Sequence, residues 1–381
     1  MKGGIGNRAL QGIKMERKIY IVGAHSRAQT LAAYLEKLYP EMAVEAYLYD
    51  NDEPNPQKIG NTPVLPLEER SGLHTDYTVY IGTRGVFHKK ILTRLEEMGF
   101  REIIPVTAAL DRWLRNTYLE RYFAEVGREF VKIDDLKMDG DGADGCGTSA
   151  NIEDATIYVV RSAGDAPLET PYLTAPYEKE IQAGAALTGK RLFEGILTDH
   201  TGDNISAQNR QFCELTALYW LWKHPREEVL GLAHYRRHFL LPKDWQQRMG
   251  LHKLDAILPT PLYVAPSVAD NYKNRHDPRD WEYMMELIRQ QGCEEYEEAK
   301  AFFGRNLYSP CNMFIMRREV LDDLCQWMFP ILFAAAKKTG EKSDVYQNRY
   351  PGFLSERLMS FFFERHRERF RVVYADKNFC R

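Results

Sequence analysis

The chain has 381 residues, 44% apolar and 28% charged, the balance of a soluble globular protein that folds as two or three domains. Its net charge of −3 supplies no basic field to gather nucleic acid, which excludes that class of partner. The six cysteines, at 146, 213, 293, 311, 325 and 380, form no CxxC pair and no zinc spacing, and the longest apolar run, Met328 to Ala336, is far too short to span a bilayer. No signal-peptide pattern is visible at the start. The expectation is therefore a cytoplasmic protein with reduced thiols, whose membrane contact, if any, is peripheral at the inner face.

Residues 1–14 show weak periodicity and are expected to be a flexible leader, with Met15 as the functional start. From Lys18 the pattern changes. KIYIVGA reads as a strand ending at Gly23, and Leu31, Tyr34, Leu35 and Leu38 then recur at helical spacing. Val44 to Asp50 is a second strand, closed by the turn-rich DNDEPNPQKIGNTP. YTVYIGT, a helix with Ile91, Leu92, Leu95 and Met98 on one side, and REIIPVT complete a strand–helix alternation that predicts a Rossmann-like parallel-sheet domain over 15–133. The turn after the first strand, Gly23 to Ala28, keeps only the first glycine of the dinucleotide fingerprint. Gly23, Ser26 and Asp50 are the candidate nucleotide contacts there, Asp50 standing where an acid often meets a ribose; a turn-forming role beside Asn51 and Asp52 is the alternative. The segment 17–107 resembles the nucleotide-sugar-binding front domain of bacterial sugar acyltransferases, through Tyr49 to Asp52 and Asn61 to Leu65.

Arg112 to Val131 reads as a closing helix, and 134–153 as a Gly/Asp-rich linker. Counted from Asp139, the sixth and twelfth residues are Asp144 and Ala150, so a calcium loop with its glycine and its acid is ruled out. A second α/β series follows over 154–381. It begins with the strand ATIYVVR and includes a strand over Leu254 to Pro259. A helix over Asp280 to Arg289 has Trp281, Met284, Met285 and Ile288 on one face. A buried strand lies near Asn312 to Met316, then a helix over Glu319 to Phe333, a helix beginning near Ser355, and a last strand in RFRVVYA.

Five motifs stand in this half: DHTGDNIS (Asp199 to Ser206), CELTALYWLWK (Cys213 to Lys223), GLAHYRRHF (Gly231 to Phe239), CNMFIM (Cys311 to Met316) and GFLSERL (Gly352 to Leu358). Residues 155–379 resemble, through these motifs, the family called domain of unknown function 4422 of bacterial capsule and exopolysaccharide clusters. The resemblance implies a GT-A-like glycosyltransferase fold. It also implies transfer of a sugar from a nucleotide-sugar donor to a growing, lipid-linked glycan acceptor.

Many GT-A enzymes end a strand in Asp-x-Asp to hold a divalent cation against the diphosphate. Here the strand VLGLA ends in His234, Tyr235, Arg236 and Arg237. Guanidinium groups neutralise phosphates without a metal, so no cofactor is expected, with manganese or magnesium left open. If the strand persists, alternation lets only one of the two arginines face the site. The plain alternative is a surface turn whose arginines pair with nearby acids. Asp199, Asp203 and Asn204 are candidate sugar contacts, or else caps and Asx-turns. Asn312 is a candidate donor-sugar contact through its side-chain amide. Tyr219, Trp220 and Trp222 read as core more readily than as a sugar platform, and Glu214 as a first-turn acid. Glu356 is the candidate general base, in the first turn of its helix; the alternative is a helix capped by Gly352, with Glu356 merely favouring the dipole. Two other functions stay open: a non-catalytic binding component of a synthesis complex, and a nucleotide-sugar oxidoreductase or epimerase.

Overall fold

The computed structural model describes residues 17–50, 54–67, 72–138, 152–170, 172–224 and 227–380. The expected leader and most of the expected linker lie outside the described residues. The chain folds as two compact units that divide after Glu129.

The first unit is a six-stranded sheet flanked by helices. Its elements run β1 (Arg17–Val22), α1 (Ser26–Leu38), β2 (Met42–Tyr49), β3 (Lys58–Ile59), β4 (Thr62–Pro66), β5 (Thr78–Ile81), α2 (His88–Glu97), β6 (Ile103–Pro105) and α3 (Ala108–Glu125). The order across the sheet is β3-β4-β2-β1-β5-β6; only β3 is antiparallel to its neighbour. The central strands β1 and β5 are apolar on both faces because helices cover both, so they read as unbroken apolar runs. From β1 the chain winds outward to β2 and β4, then returns to β5 and β6. The winding direction thus reverses between β1 and β5, as in a doubly wound sheet. Two strands went unpredicted: β3 lies within the stretch read as a turn and β4 inside and just beyond it, with Pro63 and Pro66 near the two ends of β4, where their missing N–H groups are tolerated.

The second unit carries an eight-stranded, mostly parallel sheet. Its elements are β7 (Ala155–Arg161), β8 (Glu178–Gln182), β9 (Leu197–Thr198), α4 (Asn209–Phe212), α5 (Leu215–Lys223), β10 (Val229–His234), β11 (Phe239–Leu240), α6 (Trp245–Leu251), β12 (Ala256–Pro259), β13 (Leu262–Tyr263), α7 (Val268–Lys273), α8 (Pro278–Gln291), α9 (Cys293–Phe303), β14 (Leu307–Tyr308), β15 (Phe314–Arg317), α10 (Arg318–Thr339), α11 (Tyr350–Arg365) and β16 (Val372–Lys377). The strand order is β11-β16-β12-β15-β10-β7-β8-β9, with β15 antiparallel to both neighbours, and β13 pairs with β14 separately. Ile157, Val229, Ile257, Ile315 and Val373 from the central strands join Trp245 and Met249 of α6 in one core. On α8 the stripe Trp281, Met284, Met285 and Ile288 is buried, each side chain worth roughly 1.5–3 kcal/mol on leaving water.

Two boundaries differ from expectation. The second unit begins at Phe130 rather than 154: Phe130 stacks on Tyr374 at 5.3 Å, and Ile133 is fully buried in the second core. The late helix α11 begins at Tyr350 rather than near Ser355, because Pro351 is well placed in a first helical turn, where no N–H partner is needed. Glu356 therefore sits in the second turn, and Gly352 is inside the helix rather than its cap. Among the described residues no helix is long and apolar enough to cross a membrane.

Candidate functional site

Four chain segments, each from one of the sequence motifs, meet around a cleft of about 240 Å3 in the second unit. The α4–α5 junction brings Cys213 and Glu214, and the end of β10 brings His234 and Arg237. The turn before β15 brings Cys311, and α11 brings Gly352, Phe353 and Glu356, with Tyr346 and Arg349 just upstream.

HYRR is a tight turn rather than a continuing strand. The His234 N–H donates to the Arg237 carbonyl at 3.0 Å, and the Arg237 N–H returns to the His234 carbonyl at 2.9 Å. The turn still separates the two arginines. Arg237 lines the cleft, whereas Arg236 donates to the Tyr235 hydroxyl at 2.8 Å and lies outside it, as does Tyr235. The His234 Nε2 lies 2.5 Å from the Cys311 carbonyl. A carbonyl can only accept, so Nε2 carries the proton.

Glu356 is held by both oxygens. Oε1 accepts from the Cys311 N–H at 2.8 Å and Oε2 from Arg357 Nη1 at 2.7 Å. Its side chain is 17% exposed. Burial pushes its carboxyl above the ordinary range, against the opposing pull of Arg357 and the Cys311 N–H; Glu214 adds to the rise and His234 reduces it. Arg357 is buried with its guanidinium 4.4 Å from the Tyr308 ring centre, so the Glu356 carboxylate is fixed from beneath.

Asn312 is the tie between segments. Its amide donates to Glu214 Oε1 at 2.7 Å and to the Gly352 carbonyl at 3.0 Å, and its oxygen accepts from Ser355 at 2.8 Å. It is 1% exposed, and each of these bonds is internal, tying Glu214 to α11. The backbone here is strained. Of the four non-glycine residues with positive φ among the described residues, Cys213, Cys311 and Asn312 all belong to this cleft and its wall. Cys213, at φ 49° and ψ −127°, occupies a region that side chains disfavour. Such strain tends to collect at sites of function.

Burial acts on the two thiols of the cleft. Burial pushes Cys213 up to about 11 and raises Cys311 as well, so both stay protonated near neutrality. The arginines are a different matter. Arg349 donates through Nε to the Cys213 sulfur at 3.1 Å and Arg237 lies over the Phe379 ring, but neither forms an ion pair among the described residues. Among the described residues no group of three or more His, Cys, Asp or Glu side chains is placed to hold a metal ion.

The loop residues fall elsewhere. Asp199 is fully buried and accepts from the N–H groups of Gly184 (2.8 Å) and Ala185 (3.1 Å) and from the hydroxyls of Ser206 and Thr216. All four donors belong to the protein, and Asp199 does not line the cleft, which favours the structural alternative. Asp203 accepts from the exposed Tyr219 hydroxyl, and Asn204 closes an Asx-type turn onto Ser206; neither lines the cleft. Trp222 stacks on Phe329 at 5.7 Å, and Tyr219 meets the same ring edge-on. In the first unit Gly23, Ser26 and Asp50 line one shared cavity of about 620 Å3.

Sequence reasoning passed over Arg349 and Tyr346 and undervalued Glu214. Arg349 and Tyr346 lie in a stretch without periodicity, and only their place just before GFLSER hinted at the site. Glu214 looked like an ordinary first-turn acid.

A solved structure with a similar fold is the apo form of WbbM, a bifunctional glycosyltransferase, at 24% identity and a TM-score of 0.51. The match covers 59% of this chain and 45% of that one, so this chain spans less than half the length of that relative. A search of curated proteins found no match. A family model matches residues 168–367, just over half of the chain, and spans all four segments that build the cleft. On that match the protein belongs to the family described as Domain of unknown function (DUF4422).

Proposed function

We propose that the second unit is a glycosyltransferase that moves a sugar from a nucleotide-sugar donor to a hydroxyl of a glycan acceptor. The observation that carries this reading is the pairing of charges in the cleft: a carboxyl of raised pKa beside two arginines that form no ion pair among the described residues. Glu356 takes the proton of the acceptor hydroxyl. The acceptor oxygen attacks the anomeric carbon, the bond from that carbon to the diphosphate breaks, and the nucleoside diphosphate leaves with the electron pair. Arg237 and Arg349 neutralise the charge that develops on the leaving group, with the geometric fit of guanidinium to phosphate oxygens. At about 240 Å3 the cleft matches the reacting end of such a donor, not its whole length. The fold shared with a bifunctional glycosyltransferase agrees with the reading. The motif resemblance extends it to a lipid-linked acceptor in capsule or exopolysaccharide assembly, which would bring the protein to the inner face of the membrane.

Release of free nucleoside diphosphate from a panel of nucleotide sugars, with and without acceptor, tests the proposal. Glu356→Gln is expected to abolish transfer while nucleotide-sugar binding persists, and Arg237→Ala and Arg349→Ala are expected to weaken that binding. Unchanged turnover in Glu356→Gln would remove Glu356 from the mechanism. Loss of turnover on chelation with recovery in manganese would overturn the arginine-only account of the diphosphate.

A further inference from the structure

The cavity of the first unit lies where the winding of the sheet reverses, at the carboxyl ends of β1 and β5. Such a reversal leaves a crevice in which open parallel sheets take ligands. At about 620 Å3 it has room for a nucleotide.

Its lining divides into three chemistries. The start of α1, Ser26 to Ala28, forms one wall, and the N-cap residue His25 makes no side-chain capping bond there, which leaves the helix's positive pole toward the cavity. Arg27, Arg84 and Lys90 add exposed cations around the same opening. Gly23 keeps the approach clear: it has φ +119°, and a Cβ there would lie 3.2 Å from the Ala28 Cβ and 3.5 Å from the Thr83 methyl.

The second chemistry is a pair of buried oxygens. Asp50, 10% exposed just after β2, accepts from Arg94 at Oδ1, but its Oδ2 makes no hydrogen bond and has only the longer ion pair with Lys90 Nζ at 3.6 Å. The Thr83 hydroxyl also lines the cavity, is buried, and makes none. Buried polar atoms are nearly always satisfied, so two in one cavity point to donors that a ligand brings. The third is Phe87, an aromatic ring left 52% exposed on the cavity wall.

We propose that this cavity is a ribonucleotide-binding site, separate from the cleft of the second unit and independent of its activity. The phosphates sit at the open start of α1 among Arg27, Arg84 and Lys90. The ribose hydroxyls donate to Asp50 Oδ2 with Thr83 at hand, and Phe87 offers a face to the base.

The test is calorimetric titration of the full chain carrying Arg237→Ala and Arg349→Ala together, so that binding at the cleft is weakened and the first-unit cavity dominates. ADP, GDP, CDP and UDP, their 2′-deoxy forms and inorganic pyrophosphate serve as probes. At least one ribonucleoside diphosphate is expected to bind with one site per chain. Adding Asp50→Asn is expected to weaken it on the order of tenfold to a hundredfold, the value of a hydrogen bond to a charged group. The same change is expected to erase the preference for ribose over deoxyribose and to leave pyrophosphate unchanged. Arg84→Glu with Lys90→Glu, both on exposed side chains, is expected to abolish binding of every phosphate probe. No ribonucleotide binding in the cleft-weakened chain, or binding indifferent to both sets of changes, would overturn the proposal without touching the transferase reading.

Discussion

Replacing Asp199 by Ala separates the structural role assigned to it from the sugar-binding role its motif suggested. Four buried donors converge on this carboxylate. The Thr216 hydroxyl can turn to the Cys213 carbonyl, already 3.0 Å away, but the N–H groups of Gly184 and Ala185 and the Ser206 hydroxyl are left without that acceptor. At about 1–3 kcal/mol for each buried donor left unsatisfied, and with partial relaxation, the loss is roughly 3–5 kcal/mol. For a unit of this size that lowers the melting temperature by roughly 10 °C or more. Asp199→Asn keeps one acceptor and sets an amide donor against the other donors, so it is expected to fall between. Thermal unfolding followed by circular dichroism measures the shift, and nucleotide-sugar binding is measured on the folded protein well below the transition. A melting temperature within about 2 °C of the wild type, combined with lost binding, would refute the structural assignment.

Other expectations concern charge. Because Glu214 helps to raise the Glu356 carboxyl, Glu214→Gln is expected to move the acid limb of the kcat/KM profile to lower pH while turnover survives at neutrality. Complete loss of turnover would instead make Glu214 the base. Burial lowers His276 from its ordinary 6.5 to about 4, so its neutral form is the one the fold favours. Its contribution is full above pH 6.5, falls as pH drops toward about 4, and is constant below, an acid penalty of up to roughly 3 kcal/mol. Urea denaturation of His276→Phe across that window is expected to show a correspondingly shallower loss of stability.

What the sequence disclosed and what it hid follow from range. The β-α order of the first unit was legible because most strands there are local apolar runs and each helix a local stripe; β3 and β4, set in a turn-rich stretch with prolines, escaped. The position of Glu356 on a late helix was legible, but its turn was not, since Gly352 looked like a cap until Pro351 was seen to open the helix. Asp199 misled because a carboxylate in a polar loop looks the same whether it waits for a ligand or collects four internal donors. Those donors come from residues up to 17 positions away in the chain. Arg349 was invisible for the same reason: its distinction is that it forms no ion pair among the described residues, and only the folded chain shows that.

The amide of Asn312 has a consequence for what this cleft can admit. One buried side chain reaches both the Glu214 carboxylate and the backbone of α11. The distance between the cleft's two acids is thus set by a single rigid group, like a spacer of fixed length. In the proposed reaction, admitting a bulkier sugar by spreading the walls would break the hydrogen bonds of Asn312, which is 1% exposed. Diversification of the transferred group has easier routes at the rim, where Tyr346 is half-exposed and packs on Phe353 at 5.1 Å. Exchanges there would retune selectivity while leaving the reacting centre intact.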